Sequence, residues 1–254
     1  MQVKVIASIQ ARMGSSRLPG KVLKEAAGKP LLEWQVMRLR QSKVIDEVVV
    51  ATTVQNSDDV LARWCNSMGI TCFRGPENDV LGRISGLIEA YDADVHVECF
   101  GDSPLIDPQI VDQFVAILLK NQGTYDFVSS NLKTTYPPGF EVVVYFGAVL
   151  RLVDQLVKYD DPMREHASVN VLRFPNEIRV LGIEAPNNLY APDTYLEVDT
   201  AEDFKLVSKV LENFRDHDVN FGLSAVLDFL RGSPHLAEGN RNVERRWREF
   251  RTDV

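Results

Sequence analysis

Cysteine is scarce in this chain: Cys65, Cys72 and Cys99 are the only three among 254 residues. An odd number with no metal-ligand spacing excludes a disulfide framework and a zinc centre, and fits reduced thiols in a cytoplasmic protein. Basic residues are outnumbered, 28 Lys and Arg against 36 Asp and Glu for a net charge of −8. A general nucleic-acid binder carries the opposite excess. No apolar run approaches the ~20 residues that cross a bilayer, and no charged end followed by an apolar core opens the chain as in a signal peptide. These absences predict a cytoplasmic protein that takes neither nucleic acid nor membrane as partner. Gly/Ser-rich and Pro-rich linkers and internal repeats are lacking too. With globular proportions of hydrophobic (45%) and charged (25%) residues, the chain reads as one large unit. Its main domain spans residues 1–214, and 215–254 is its helical C-terminal extension.

What is present is an alternation. β-branched runs at Val3 to Ile9, Glu47 to Thr53, "ITCF" and "ADVHVECF" are interleaved with helical patterns at Leu31 to Arg40, "DDVLARWCNSMG", Asp79 to Tyr91 and Asp107 to Asn121. Gly69 stands where a left-handed helix terminator belongs, and Asp107 followed by Pro108 makes a helix start. This rhythm predicts right-handed βαβ units and a doubly wound, mostly parallel sheet. After about residue 125 the strands "YDFVSSN", "GFEVVVYF" and "NEIRVLGIEA" are separated by longer loops, so the sheet there is expected to be mixed. Thr200 and Asp203 form a capping box for a helix over Ala201 to Phe214.

The first strand runs into "SIQARMGSSRLPGKVL", Ser8 to Leu23. This loop crowds Arg12, Arg17 and Lys21 among Gly, Ser and Pro, a local cationic patch suited to a small anion. Two familiar phosphate loops do not fit. Five residues, not four, separate Gly14 from Gly20, and Val22 replaces the hydroxyl residue after Lys21. No G-x-G-x-x-G run exists. A strand-end loop of backbone N–H groups bracketed by Arg12 and Lys21 remains, at the carboxyl edge where open α/β sheets bind ligands.

"QARMGSSRLPGKVL" resembles the signature loop of the sugar-nucleotide cytidylyltransferases, most closely the branch of the spore-coat polysaccharide biosynthesis protein F, related to CMP-Kdo synthetases and acylneuraminate cytidylyltransferases. "FRGPENDVLGR", "GDSPLIDPQIVD", "REHASVNVLR" and "LEVDTAEDF" follow in the family's order, so the likeness covers nearly the whole chain. It implies a fold of the nucleotide-diphosphosugar transferase type and a loop that wraps the triphosphate. Arg12 and Lys21 would stabilise charge there, with Gly14, Ser15 and Ser16 as donors and Ser8, Gln10 and Ala11 completing the nucleotide set. Arg17 is left open between this role and plain surface.

Asp102 follows a strand in "GDSPLID". Asp107 already caps the next helix and Gly101 already permits the turn, so Asp102 is spare. Asp199 is likewise spare once Thr200 and Asp203 are assigned. The family's metal aspartates fall on these two motifs, so the resemblance makes Asp102 and Asp199 ligands of Mg²⁺, the usual partner of phosphates. Asp79 either caps its helix or binds ribose, and Arg83 either reaches the nucleotide or pairs with Asp79 four residues earlier. Phe100 stands where CMP-Kdo synthetases carry a glutamine, which leaves the reading of the base open. On the acceptor side, Asp161 and Pro162 start a helix that sets Arg164, Glu165 and His166 in its first turn. Arg164 would grip the acceptor's anion and His166 orient or deprotonate its hydroxyl; the alternative is an ordinary surface trio. Glu141 is expected on a sugar hydroxyl, and His96 in the core.

The implied reaction joins CTP to an anionic sugar of the ulosonic-acid type, giving a CMP-sugar and pyrophosphate for surface polysaccharide, with a homodimer as the family's usual assembly. Three rivals stay open. The same machinery serves another nucleotide with a phosphorylated acceptor. A glycosyltransferase usually shows D-x-D, which "DSP" is not. A non-catalytic binding protein has no need of two spare aspartates and a cationic loop.

Overall fold

The computed structural model describes residues 2–217, 219–245, 247 and 248. Its strands are β1 (Val5–Gln10), β2 (Glu25–Ala26), β3 (Lys29–Pro30), β4 (Glu47–Thr53), β5 (Thr71–Gly75), β6 (Val95–Phe100), β7 (Phe127–Ser129), β8 (Val143–Phe146) and β9 (Val180–Gly182). The helices are α1 (Leu31–Leu39), α2 (Asp59–Ser67), α3 (Val80–Ala90), α4 (Pro108–Lys120), α5 (Gly147–Leu156), α6 (Ala201–Phe214) and α7 (Leu223–Gly232). Seven strands form one sheet in the order β5-β4-β1-β6-β8-β7-β9. The first four are parallel, β8 runs against both β6 and β7, and β9 is parallel to β7. The expected change from a parallel to a mixed sheet after residue 125 is therefore present. The hairpin of β2 and β3 lies outside the expected strands; at two residues each, its strands are too short for periodicity to register.

Helices cover both faces, so alternate residues of the central strands feed two cores. Val5, Ala7 and Ile9 of β1 join a cluster with α1, α4, α6 and α7, while Ile6 joins one with α3 and α5. That two-sided burial is why β1 and β4 read as continuous apolar runs rather than alternating ones. The local start and stop signals act as the sequence suggests. Gly69 is left-handed (φ +61°) beyond α2, Asp107 accepts from the Gln109 N–H ahead of α4, and the Thr200–Asp203 capping box is complete. The region after α6 contains α7 and a short 3-10 turn at Pro234–Ala237 before turning irregular, so only part of the expected helical extension is helix. Residues 249–254 of the charged tail lie outside the described residues.

Candidate active site

β1 and β6 pair in register with Gln10 beside Phe100, so both end at the same edge of the sheet. The loop after β1 is pinned there by a buried carboxylate: Asp58 accepts the Met13 N–H at 2.7 Å and the Thr53 hydroxyl. Leu18 anchors it in the core. Gly20 closes it with φ +66° and its N–H on the Met13 carbonyl, a conformation costly for any residue with a Cβ. Gly101 lets β6 leave the sheet close to β1, since a Cβ there would sit 2.8 Å from the Gln10 carbonyl oxygen. The loop and the two strand ends enclose a cleft of about 410 Å³ whose walls include Gln10, Ala11, Arg12, Gly14, Ser15, Ser16, Lys21, Arg83, Asp102, Glu165 and Asp199.

Asp102 and Asp199, 97 positions apart in the sequence, meet at this cleft. The Val198 N–H donates to the Asp102 carbonyl at 2.7 Å, tying the two motifs together through the backbone. Their side chains converge on one cation: Lys21 Nζ lies 2.8 Å from Asp199 Oδ1 and 3.5 Å from Asp102 Oδ2. Burial by itself lowers the affinity of Lys21 for its proton, but the two aspartates outweigh it and hold the ammonium above its ordinary pKa. Arg17 Nη2 takes the other Asp199 oxygen at 2.5 Å. Arg17 is thus part of the site and not plain surface. Arg12 remains half-exposed, 3.9 Å from Glu77.

Several expected site residues are occupied elsewhere. Arg164 is buried. Its guanidinium clamps both oxygens of Asp79 (2.9 and 3.0 Å), takes Asp154 at 2.5 Å and donates to the Val157 carbonyl. Every donor nitrogen of Arg164 is used, so none is left for an anion. Asp79 is held by that clamp and caps α3 through the Gly82 N–H, the first of its two readings. Arg83 does not pair with Asp79. Its Nη1 donates to the Pro76 carbonyl at 2.6 Å, and its Nε is buried in the cleft wall with no hydrogen-bond partner among the described residues. Ser8 points away from the cleft, its hydroxyl 2.8 Å from His96 Nε2 in the core. Glu141 accepts the Gly139 N–H. The expected helix at Asp161 is a single 3-10 turn, Pro162–Glu165. Of its trio only Glu165 borders the cleft; His166 is half-buried, and burial holds its imidazole below the ordinary pKa against the pull of Glu165.

The sequence leaves the basic tail three alternatives, to pack on the domain, to meet a partner or to remain mobile, and its described residues take the first. Arg245 is buried, with Nη2 on Asp203 at 2.8 Å, Nη1 3.4 Å from Glu197, and its guanidinium 4.4 Å from the Tyr195 ring centroid. Trp247 donates to Glu197 at 2.7 Å, and Arg17 Nη1 donates to the Glu244 carbonyl. Glu197 is pushed up to about 8 by burial and by the neighbouring Glu141 and Asp102. The described tail residues therefore pack on the domain, behind Asp199. A cluster of arginines late in an acidic chain was the only signal for this, and it does not name the partners.

A family profile described as "Cytidylyltransferase" matches residues 6–220. The spore coat polysaccharide biosynthesis protein SpsF of Bacillus subtilis is 31% identical over 233 residues, 90% of this chain and 95% of that protein. A cytidylyltransferase structure from Leptospira borgpetersenii superposes with a TM-score of 0.84 at 28% identity, covering 96% of this chain and 99% of the other. The structure of a CMP:2-keto-3-deoxy-manno-octonic acid synthetase complexed with CTP shares the fold, with a TM-score of 0.60 at 21% identity over 83% of this chain and 99% of that one.

Proposed function

Since this chain belongs to the cytidylyltransferase family and is a nucleotidyltransferase, we propose that it joins CTP to the hydroxyl of an anionic, ulosonic-acid type sugar, releasing pyrophosphate and a CMP-sugar. The observation that carries the reading is the convergence of Asp102 and Asp199 on the Lys21 ammonium, inside a cleft walled by the loop of Arg12, Gly14, Ser15 and Ser16. In the reaction the acceptor oxygen bonds to the α-phosphorus as the bond from that phosphorus to the bridging oxygen breaks. The pyrophosphate takes the electron pair, and the acceptor's proton leaves to solvent. The work left to the protein is positioning and charge stabilisation. Arg12 and Lys21 offset the charge that grows on the pyrophosphate, and the loop's N–H groups hold the phosphate oxygens.

The donor set fits magnesium. Two hard carboxylates point at one cation, and among the described residues there is no cage of three or more His, Cys, Asp or Glu. Magnesium is usually held by one or two carboxylates plus substrate phosphates. Asp102 and Asp199 would hold it, and when bound it supplies charge neutralisation on the phosphate oxygens. Arg83, with its orphaned Nε in the wall, is suited to a polar group of the nucleotide. The commitment of Arg164 to Asp79 and Asp154 favours a second reading, in which the acceptor's anion is met by the exposed guanidinium of Arg12 or is a phosphate rather than a carboxylate.

The test is pyrophosphate release with Mg²⁺, each of the four nucleoside triphosphates, and a panel of ulosonic acids and sugar phosphates, with Asp102→Ala alongside. Release with CTP and one acidic sugar, abolished by Asp102→Ala, supports the proposal. Release with a sugar phosphate or another nucleotide moves it to the second reading, and no release with any of the four triphosphates across the panel, together with no binding of any of them by calorimetry, rejects both.

A further inference from the structure

Directly behind the cleft, on the sheet face that packs against α3 and α5, lies a buried polar chain for which the proposed reaction has no use. Register sets Ser8 of β1 beside Glu98 of β6, and His96 opposite Tyr145 of β8. Ser8 Oγ is 2.8 Å from His96 Nε2, and His96 Nδ1 is 2.8 Å from the Tyr145 hydroxyl. That hydroxyl donates to Glu98 Oε2 at 2.7 Å. Glu98 Oε1 takes two more donors at 3.1 Å each, the Ser168 hydroxyl and Gln10 Nε2.

Glu98 is 2% exposed, and all three side chains that bond to it are neutral. A carboxylate buried without a cation is costly, and a neutral group of the same shape would serve the fold at least as well. Charges kept at that cost cluster where a geometry has to be enforced. Here the group whose geometry is enforced is the Gln10 amide. An amide carries a donor at one end and an acceptor at the other, whereas a carboxylate only accepts. With Oε2 accepting from the Tyr145 hydroxyl and Oε1 from the Ser168 hydroxyl, Glu98 takes the NH₂ end of Gln10, and the reversed amide would set oxygen against oxygen. The carbonyl oxygen of Gln10 is left for the other side, and Gln10 lines the cleft. The same cleft is lined by Phe100, the register partner of Gln10, and by Val80 at the start of α3. That apolar surface suits a base better than a triphosphate.

We propose that Glu98 is a positioning residue for nucleobase choice. By fixing the Gln10 amide with its oxygen toward the cleft, it gives that wall a hydrogen-bond acceptor, which takes the exocyclic amine of cytosine and turns away the carbonyl that uracil carries at the same position. The inference rests on the reading that the cleft takes a nucleoside triphosphate.

Calorimetric titration with CTP and with UTP, both in Mg²⁺, tests it without needing the acceptor. Wild-type protein is expected to prefer CTP. In Glu98→Gln the new amide can turn either end to Gln10, so Gln10 is free to flip, and the ratio of the two dissociation constants should narrow about tenfold. Gln10→Ala should narrow it to a similar degree, and the double variant no further, because Glu98 acts through Gln10. The thermal midpoint of Glu98→Gln should hold or rise as the buried charge is removed, which a purely structural role for Glu98 does not predict. Should that variant fail to fold, Gln10→Ala decides on its own, since it leaves Glu98 in place. A folded Glu98→Gln or Gln10→Ala protein with the wild-type ratio overturns the inference and leaves the proposed function standing. Wild-type protein that binds neither nucleotide overturns both.

Discussion

Two clusters of the same residue types flank the cleft, and they behave in opposite ways. At the mouth, Lys21 and Arg17 meet Asp102 and Asp199. Behind the outer wall, Arg164 meets Asp79 and Asp154. In the second cluster the guanidinium is saturated, with two carboxylates and a backbone carbonyl sharing its donors, and the side chain is buried. It holds α3 and α5 to the turn at Pro162–Glu165. In the first cluster Lys21 is shared at unequal distances and Asp102 keeps 30% of its side chain exposed, its oxygens met only by long contacts, from Lys21 at 3.5 Å and the Ser103 hydroxyl at 3.2 Å. The difference lies in satisfaction and not in charge. A saturated ion pair braces the fold, while an unsaturated one at a strand end is ready for chemistry.

Four measurements break or sharpen that contrast. Asp102→Ala should lower kcat for pyrophosphate release about a thousandfold while the thermal midpoint holds, because Lys21 keeps Asp199; an active variant removes the first cluster from the mechanism. Arg164→Ala should do the reverse. Leaving Asp79 and Asp154 unpaired should lower unfolding free energy in urea by about 3 kcal/mol, with kcat of the folded protein near wild type. A large loss of kcat without loss of stability would return Arg164 to the acceptor site. His96, in the buried polar chain behind the cleft, gives a pH signature. Burial pushes it down to about 3, so on acidification the unfolded chain takes a proton near pH 6.5 that the folded one refuses. Stability should therefore fall as pH drops from about 6.5 toward 3, at ~1.4 kcal/mol per pH unit within that window, and His96→Gln should remove this slope in urea titrations at stepped pH. The smallest effect is expected from Arg17→Lys. An ammonium cannot span both the Glu244 carbonyl and Asp199 as the fork does, and the loss should be about 1 kcal/mol in kcat/KM.

Much of the architecture was legible because it rests on local chemistry. The caps at Asp107 and Thr200, the terminator at Gly69 and the apolar runs of β1, β4 and β6 each act within a few residues of themselves. The two spare aspartates were found by the same local reasoning, since their neighbours already filled the capping roles. That reasoning does not reach the partners of a polar side chain with several within range. Arg164 was placed by its turn and not by the aspartate 85 positions earlier that holds it. Ser8 was grouped with the loop it precedes, although strand alternation turns it to the face of His96. Arg17 and Arg245 gave no sign of direction, because a long cationic side chain is set by what it meets.

The sequence by itself therefore determined the order of strands and helices, the change from parallel to mixed pairing, and the loop that ends β1 in a cationic patch. Hydrophobic period, turn residues and helix caps act over one or two turns, and the chain carries them wherever it goes. Only the tertiary structure decided which charges are spent. Lys21 finds Asp199 across 178 residues, and Gln10 finds Glu98 across 88. A donor's partner depends on distances of a few ångströms that only folding sets, and a side chain already saturated in the folded protein has nothing left for a substrate.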